Sequence, residues 1–166
     1  YLNNKFKLCR PKIDNNVNDS YVSAKGLYHP LIQALQEDEL YVENDIHLGL
    51  NPNGILLYGT NAVGKTSLIR AIGVCIIMAQ SGFYVPCSRF VYKPYKSIFS
   101  RILGNDNLFK GLSTFAVEMS ELRTILQLAD ENSLILGDEL CSGTETESAL
   151  SIFVSGLEHL DKVKSS

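Results

Sequence analysis

Residues 55–67 read ILLYGTNAVGKTS, and this stretch decides the fold of the chain. It opens with an apolar run over 55–58 that is rich in β-forming side chains, which predicts a short buried strand. The loop over 59–66 has the spacing Gly-x-x-x-x-Gly-Lys-Thr, and an apolar run of helical length follows over 67–80. A strand, a glycine loop ending in Lys-Thr and a helix, in that order, are the context in which this spacing predicts a phosphate-binding loop.

The glycine loop has the residue types that phosphate binding needs. Its glycines let the backbone curl so that successive N–H groups point inward, and the N-terminus of the following helix adds partial positive charge. The ammonium group of Lys65 would reach the β- and γ-phosphates, and the hydroxyl of Thr66 would bind Mg²⁺. The alternative, an ordinary glycine-rich turn with a solvated lysine, leaves the flanking strand and helix unexplained. We predict a nucleotide site formed by Gly59, Thr60, Asn61, Ala62, Val63, Gly64, Lys65, Thr66 and Ser67.

An acidic stretch further along the chain supplies the carboxylates that the glycine loop lacks. The apolar run over 133–136 predicts a buried strand that leads into Asp138 and Glu139. Asp138 can hold Mg²⁺ through water opposite Thr66, and Glu139 can orient the attacking water as a general base. An isolated Asp-Glu pair after a strand usually caps a helix or faces solvent, but Lys65 upstream favours the catalytic role. A glutamate after the metal-binding aspartate favours an ATPase over a kinase, with Glu139 and Lys65 as catalytic residues.

Composition places limits on the class of protein. The chain has 166 residues, 45% of them hydrophobic and 20% charged, which is typical of one globular domain with a substantial core. Its net charge of −3 is mildly acidic, whereas a domain that grips DNA phosphates by itself is usually basic. We therefore expect any nucleic acid to be held by something outside this chain. The longest apolar stretch, 71–79, is too short to cross a bilayer, and no secretory signal is visible.

The cysteines and the ends of the chain add two expectations. Cys9, Cys75, Cys87 and Cys141 have no metal-binding spacing, which favours a reduced, intracellular protein in which Cys75 is a small core residue. The chain starts at a tyrosine and stops without a closing element, as a piece of a longer protein would.

Strand and helix signals alternate along the chain. A polar lead-in covers 1–25, with an Asn-rich surface loop over 14–20, and the domain proper covers 26–166. This alternation predicts an α/β fold with a mainly parallel sheet flanked by helices. The expected elements are a strand within 41–50, a turn over 51–54, an edge strand over 82–87, a strand over 97–103, a helix from Ser113 and a final helix over 145–160. In the helix from Ser113, Glu118 is expected off the apolar stripe, which is formed by Phe115, Met119, Leu122, Leu126 and Ala129.

Several ordered motifs together resemble one family. The glycine loop, with Gly59, Asn61, Gly64 and Lys65, is similar to that of the MutS family of DNA mismatch-repair proteins, whose ATPase domain is of the ABC type. The same family resemblance covers MAQSGFYVPC, LSTFAVEM, LGDE and SGT further along, and CRP, YHP and YVENDI upstream. Residues 104–109 and 139–142 resemble the divergent branch found in giant viruses and octocoral mitochondria. The resemblance spans almost the whole chain.

The resemblance assigns roles that spacing alone does not. It implies that Tyr41 stacks on adenine, although a strand aromatic in the core is the alternative. It implies that Asn61 lies near the γ-phosphate, and that Ser113 reaches the nucleotide of the opposite subunit; a helix cap at Ser113 is compatible with that role. The turn over 142–146 would lie at the same dimer interface. The region around Ser100, Arg101 and Asp106 would include a loop that senses the metal or the γ-phosphate.

The same resemblance implies a function. Two head-to-tail protomers, identical or MutS-like, would bind ATP and Mg²⁺ and hydrolyse ATP, and this cycle would switch a DNA clamp. Other domains would hold mismatched double-stranded DNA, and a switch histidine would lie beyond residue 166. The protein would work in a viral factory, the cytoplasm, the nucleus or a mitochondrion, and no membrane would be among its partners. The rivals are a nucleotide-gated scaffold without useful turnover, a different P-loop ATPase, and a stand-alone P-loop kinase or GTPase.

Some residues depart from the family pattern. Thr60, Ala62 and Val63 replace the usual Pro, Met and Gly of the loop. Val63 is the least expected, because a β-branched residue tolerates a positive φ poorly. Cys141 replaces a basic or small residue after the glutamate, which bears on how the two subunits are coupled.

Overall fold

The structure is a computed structural model, and it describes residues 7–35, 41–60, 63–101, 114–138 and 146–166. Strands and helices follow one another within these ranges. In chain order they are β1 (Lys12–Ile13), β2 (Tyr21–Leu27), α1 (Pro30–Leu35), β3 (Asn44–Leu48), α2 (Lys65–Gln80), β4 (Arg89–Lys93), β5 (Ser97–Arg101), α3 (Thr114–Leu128), β6 (Ser133–Gly137) and α4 (Thr146–Lys162).

The larger sheet is built around β2. Its strand order is β1-β4-β2-β3, with β2 antiparallel to both neighbours and β1 parallel to β4. Val22 and Ala24 alternate along β2 with more exposed residues and face the core, as the two-residue period of a strand requires. They pair with Leu48 and Ile46 on β3, which are also buried. The alternation therefore gives this sheet one apolar face.

The smaller sheet contains β5 and β6, which are parallel. The register runs from Ser97 opposite Ser133 to Arg101 opposite Gly137. Beyond α4 the chain returns to the other side of β6, where Ser166 accepts a hydrogen bond from Ile135 N (2.7 Å) and donates one to Ser133 O (3.0 Å). The two bonds lie on either side of Leu134, which is the pattern of a segment that runs parallel to β6. β6 is thus hydrogen-bonded on both sides.

Helix α2 joins the glycine loop to the core. Seven of its residues are buried, among them Ile72, Cys75 and Ile76. A Cβ built on Gly73 would lie 2.8 Å from Leu136 Cδ1, so the helix backbone approaches β6 more closely there than any larger residue allows. The missing side chain at Gly73 therefore fixes how α2 lies over β6.

Several predicted elements are confirmed. The structure contains the strands expected within 41–50 and 97–103, the strand before Asp138, the helix after the glycine loop and the helices after Ser113 and residue 145. The turn over 51–54 is also present, and the Asn-rich segment 14–20 lies outside the regular elements. β2 runs across residue 25, and the division of the chain there stays a prediction. In the described ranges, no helix is long and apolar enough to cross a bilayer.

Three structural predictions were wrong. Residues 55–58 are not assigned to a strand, and Leu56 and Tyr58 are 63% and 91% exposed. Residues 82–87 contain only an isolated bridge, from Val85 to Cys9, instead of an edge strand. In both places β-propensity is present, but no described segment pairs with these residues over more than one position, and strand formation depends on a partner.

The third wrong prediction was the mainly parallel sheet. The described strands form a mixed, largely antiparallel sheet and a separate parallel pair. The apolar stripe of α3 also differs, because Glu118, expected off the stripe, is buried beside Ile125 on the same helix.

Candidate nucleotide-binding site

The glycine loop places its unusual backbone conformations on glycines. Gly64 is the N-cap of α2 with φ 93° and ψ 10°, in the left-handed region, and Gly59 has φ 149°. Among the described non-glycine residues, positive φ occurs at Leu50 and Lys164 and not at Val63. Val63, which replaces the usual glycine of the family, therefore introduces no backbone strain. The side chain of Val63 is exposed.

The N-terminus of α2 opens into the loop. Gly64 has no side chain with which to cap the helix, so the first-turn N–H groups lack the usual side-chain acceptor. Lys65, the first residue of α2, curls back and donates hydrogen bonds from Nζ to the carbonyl oxygens of Gly59 (2.8 Å) and Thr60 (2.6 Å). A cation and the positive end of a helix thus share one small loop. That is the electrostatic requirement for binding phosphate.

The hydroxyl of Thr66 connects this loop to the end of β6. Thr66 Oγ1 donates a hydrogen bond to Asp138 Oδ2 at 2.7 Å, across 72 residues of sequence. Asp138 itself is held by its own N–H, which donates to Arg101 O at 2.8 Å and continues the β5–β6 pairing by one step. The two predicted metal ligands therefore lie side by side, Thr66 in the first turn of α2 and Asp138 directly after β6.

The Thr66–Asp138 pair fits Mg²⁺. Mg²⁺ prefers hard oxygen ligands and is usually bound by one or two protein oxygens together with phosphate oxygens and water. A hydroxyl and a carboxylate within hydrogen-bonding distance supply that set. Lys65 Nζ places a positive charge in the adjoining loop.

Other predicted residues are placed less completely. Ser67 lies half-buried in the first turn of α2. Tyr41 is half-buried just before β3, and its ring meets Tyr28 edge-on, with 6.4 Å between centroids and 70° between planes. The remaining predicted positions lie outside the described residues: Asn61, Ala62, Asp106, Ser113, Glu139, Cys141 and the turn up to 145.

Two further residues bear on the site: Gly73, which was not named from the sequence, and Arg101, which was named only as part of the region expected to sense the metal or the γ-phosphate. Gly73 sets the approach of α2 to β6, but a lone glycine in an apolar helix gives no such signal. Arg101 ends β5, and its guanidinium pairs with Glu121 of α3 at 3.1 Å. The signal for Arg101 was its position: it ends a strand that is parallel to the one before Asp138. The ion pair itself depends on how α3 packs.

The glycine loop, the helix that follows it and the carboxylate at the end of β6 define this protein as a P-loop nucleotide-binding protein. The profile of MutS domain V matches residues 55–166. The chain therefore belongs to the MutS family, whose domain V is the ATPase domain of mismatch-repair proteins. The resemblance inferred from the motifs is confirmed.

Individual relatives agree with this family. A putative DNA mismatch repair protein mutS homolog of Acanthamoeba polyphaga mimivirus is 37% identical over 97% of this chain and 18% of its own length. A mitochondrial DNA mismatch repair protein mutS homolog of Sarcophyton glaucum is 44% identical, over 88% of this chain and 15% of its own length. The DNA mismatch repair protein MutS of Chlamydia abortus is 40% identical over 92% and 18%. The chain thus spans less than a fifth of these relatives.

Proposed function

We propose that this chain binds ATP with Mg²⁺ at residues 59–67 and hydrolyses it between two head-to-tail protomers. The observation that carries the proposal is the 2.7 Å hydrogen bond from Thr66 Oγ1 to Asp138 Oδ2. It brings the end of the phosphate-binding loop to the carboxylate that the sequence assigns to the metal. A glycine turn without a function has no reason to meet an acidic strand end.

Lys65 supplies the charge for the phosphates. Its ammonium group already lies inside the loop, on the carbonyl oxygens of Gly59 and Thr60. Phosphate oxygens are stronger acceptors than these carbonyls, because hydrogen bonds to charged groups are roughly twice as strong as neutral ones. Lys65 therefore exchanges carbonyl partners for phosphate oxygens when ATP enters. The N–H groups at the start of α2 add donors along the same loop.

Thr66 and Asp138 are the residues that hold Mg²⁺ in this proposal. Bound there, Mg²⁺ would neutralise charge on the phosphate oxygens during hydrolysis. Asp138 is fixed by its backbone bond to Arg101, and Thr66 by its place in the first turn of α2. Both oxygens are thus positioned by the backbone of regular elements, which keeps the site in shape between turnovers.

The remaining roles come from the family. Glu139, the residue after Asp138, orients the attacking water and accepts its proton. Tyr41 stacks on adenine, Asn61 lies near the γ-phosphate, and Ser113 reaches the nucleotide of the opposite subunit. Since Ser113 precedes α3, the Arg101–Glu121 ion pair ties that helix to the strand ends that carry Asp138. Hydrolysis then depends on a dimer.

In the complete protein, we propose that this cycle switches a DNA clamp in mismatch repair. The relatives from mimivirus, Sarcophyton glaucum and Chlamydia abortus are named as mismatch-repair proteins. Mismatched duplex DNA would be held by other parts of the protein, in agreement with the acidic net charge of −3 on this chain. The partner is a second copy or a MutS-like subunit, and the setting is intracellular.

The test is ATP turnover of the full-length protein against Glu139→Gln and Lys65→Ala, with and without mismatched duplex DNA. Removing a general base lowers turnover by roughly 100-fold or more, so Glu139→Gln should bind ATP but stall. Lys65→Ala should lose ATP binding itself, by about 100-fold, because two charge-assisted hydrogen bonds are removed. Mismatched DNA should change the wild-type rate, and turnover per protomer should rise with protein concentration.

Each part of the proposal can fail separately. Turnover that is unaffected by Glu139→Gln contradicts the assigned base. A rate indifferent to mismatched DNA contradicts the repair function but leaves the nucleotide site intact. ATP binding with no turnover at any protein concentration favours a nucleotide-gated scaffold. The matched control is Lys96→Ala, an exposed lysine at the start of the smaller sheet, which should leave all of these rates unchanged.

A further inference from the structure

Two cysteines that the nucleotide site does not use lie against each other at the edge of the core. Cys9 Sγ and Cys87 Sγ are 3.3 Å apart, across 78 residues of sequence. The three described cysteines, Cys9, Cys75 and Cys87, all carry free thiols. Bonded sulfurs lie about 2.05 Å apart, so a movement of about 1.2 Å would join this pair.

The backbone holds the two thiols in this position. Cys9 and Val85 exchange both backbone hydrogen bonds, at 3.0 and 2.9 Å, and form an isolated antiparallel bridge. The N–H of Cys87 then donates to Val85 O at 2.9 Å, which curls the chain back and brings Cys87 toward Cys9. The contact is therefore set by two fixed backbones, and it does not depend on rotation of a flexible surface side chain.

The two cysteines differ in their exposure to solvent. Cys87 is 1% exposed and belongs to the hydrophobic core, whereas Cys9 is half-buried and packs against the edge of that core. An oxidant that reaches the pair from solvent meets the more exposed Cys9 first, and the sulfur in direct contact with Cys9 is that of Cys87, at 3.3 Å. This is the arrangement of an attacking thiol with a resolving thiol behind it.

We propose that Cys9 and Cys87 form a redox modification site that closes to an intramolecular disulfide when the protein meets a peroxide. The sulfur of Cys9 attacks one peroxide oxygen, the O–O bond breaks, and the departing hydroxide takes up the thiol proton as water, which leaves Cys9 as a sulfenic acid. The sulfur of Cys87 then attacks Cys9 Sγ, the S–O bond breaks, and the second water leaves with the proton of Cys87. Two thiols lose two electrons, and one hydrogen peroxide becomes two waters.

Burial makes the two thiols slow to react with an oxidant. Desolvation raises the pKa of the Cys9 thiol. Desolvation also raises the pKa of the Cys87 thiol, and the hydrogen bond between Cys87 and Cys9 raises it further. Both thiols are therefore almost entirely protonated at neutral pH, and a thiol reacts through its thiolate. The pair stays reduced until oxidant is abundant.

The disulfide would tie the segment before β1 to the segment after α2. Tyr28, whose hydroxyl donates to Lys7 O at 3.1 Å, already connects the first of these segments to the core. A covalent link across 78 residues removes much of the conformational freedom of the unfolded chain. Oxidation should therefore raise the temperature at which this part of the protein unfolds, by roughly 10 °C for an unfolding unit of about this size.

The test treats the purified full-length protein with a small excess of hydrogen peroxide and maps its cysteines by peptide mass spectrometry. We expect a peptide pair linked through Cys9 and Cys87, a higher melting temperature, and reversal of both by dithiothreitol. Cys9→Ser and Cys87→Ala should each abolish the cross-link and the rise in melting temperature. Cys75→Ala is the matched control, because it removes a buried thiol of the same core and should leave the cross-link intact.

Other products would overturn the proposal. These are cross-links through Cys75 or Cys141, cross-links between two molecules, or Cys9 oxidised to sulfinic acid with Cys87 still a thiol. Retention of both the Cys9 and the Cys87 thiol after prolonged treatment with a large excess of peroxide also contradicts it. If Cys87→Ala fails to fold, Cys9→Ser at the half-buried position gives the same information. None of these results depends on ATP binding, so they are independent of the proposed function.

Discussion

The two sheets of this protein differ in how they are held and in what they carry. In the larger sheet, β2 pairs on both sides, and Phe90 and Tyr92 fill the core beneath it with tilted rings 5.5 Å apart. The smaller sheet has one described pair of strands, and its carboxyl ends carry Arg101 and Asp138. The larger sheet thus carries most of the strand pairing, whereas the carboxylate of the candidate site lies at the end of the smaller sheet.

The reason lies in the direction of the strands. Antiparallel neighbours place their carboxyl ends at opposite edges, so polar groups at strand ends are kept apart. Parallel neighbours place them at the same edge, where they can act on one ligand. Helix α2 connects the two regions, since it begins at the site with Thr66 and contributes Cys75 and Ile76 to the common core.

The largest effect should come from exchanging one carboxylate in each region. Asp138→Asn keeps an acceptor for Thr66 but removes a negative charge. The gain in ATP affinity that Mg²⁺ produces should therefore be smaller by about tenfold or more, while the melting temperature changes little. Asp45 in the larger sheet accepts a hydrogen bond from Gly26 N at 2.8 Å. Asp45→Ala should therefore cost about 1 kcal/mol of stability and leave ATP affinity unchanged.

Titration of ATP at several Mg²⁺ concentrations and thermal unfolding measure these two quantities. The division between the sheets fails if Asp138→Asn destabilises the fold as much as Asp45→Ala does and leaves the Mg²⁺ dependence intact.

A smaller effect should appear where α2 meets β6. Gly73→Ala places a methyl group 2.8 Å from Leu136 Cδ1, inside a packed core, and should lower the free energy of unfolding by about 1 kcal/mol. Gly156→Ala on α4 is the matched control, because open space surrounds that position, and it should raise stability by about 0.5–1 kcal/mol through helix propensity.

Urea unfolding of both variants gives these differences. If Gly73→Ala is as stabilising as Gly156→Ala, the close approach of α2 to β6 does not exist in solution. A second substitution, Leu136→Val, removes the contacting methyl group and should recover part of the loss in Gly73→Ala.

The smallest effect concerns the turn that leads into β6. The pKa of Asp130 is lowered, chiefly because its carboxylate accepts hydrogen bonds from Ser133 Oγ (2.7 Å) and Asn132 N (2.9 Å). A carboxyl group with a lower pKa in the folded state stabilises the protein above its unfolded pKa of 3.8, and that contribution is lost as pH falls through the folded value.

The gap in unfolding free energy between wild type and Asp130→Asn should thus be below about 1 kcal/mol at pH 7, because the group is largely exposed, and should narrow below pH 4. Urea unfolding at pH 7, 5 and 3 measures it. A gap that widens in acid has the opposite sign and would refute the assignment.

The sequence by itself determined the parts of this protein that depend on local order. The glycine loop, helix α2 and the strand before Asp138 follow from contiguous residue types, because loop conformation and helix formation depend on near neighbours. The roles predicted for Lys65 and Thr66 rest on the same local motif. The family could be inferred from the sequence for the same reason, since its motifs are short and ordered.

Tertiary structure decided whatever needs two distant segments. β-forming residues over 55–58 did not become a strand, because a strand requires a partner and propensity alone supplies none. The 2.7 Å contact of Thr66 with Asp138 and the 3.3 Å contact of Cys9 with Cys87 join residues more than seventy positions apart. Residue spacing carries no information about such distances. They follow from packing, including the close approach of α2 to β6 that Gly73 alone permits.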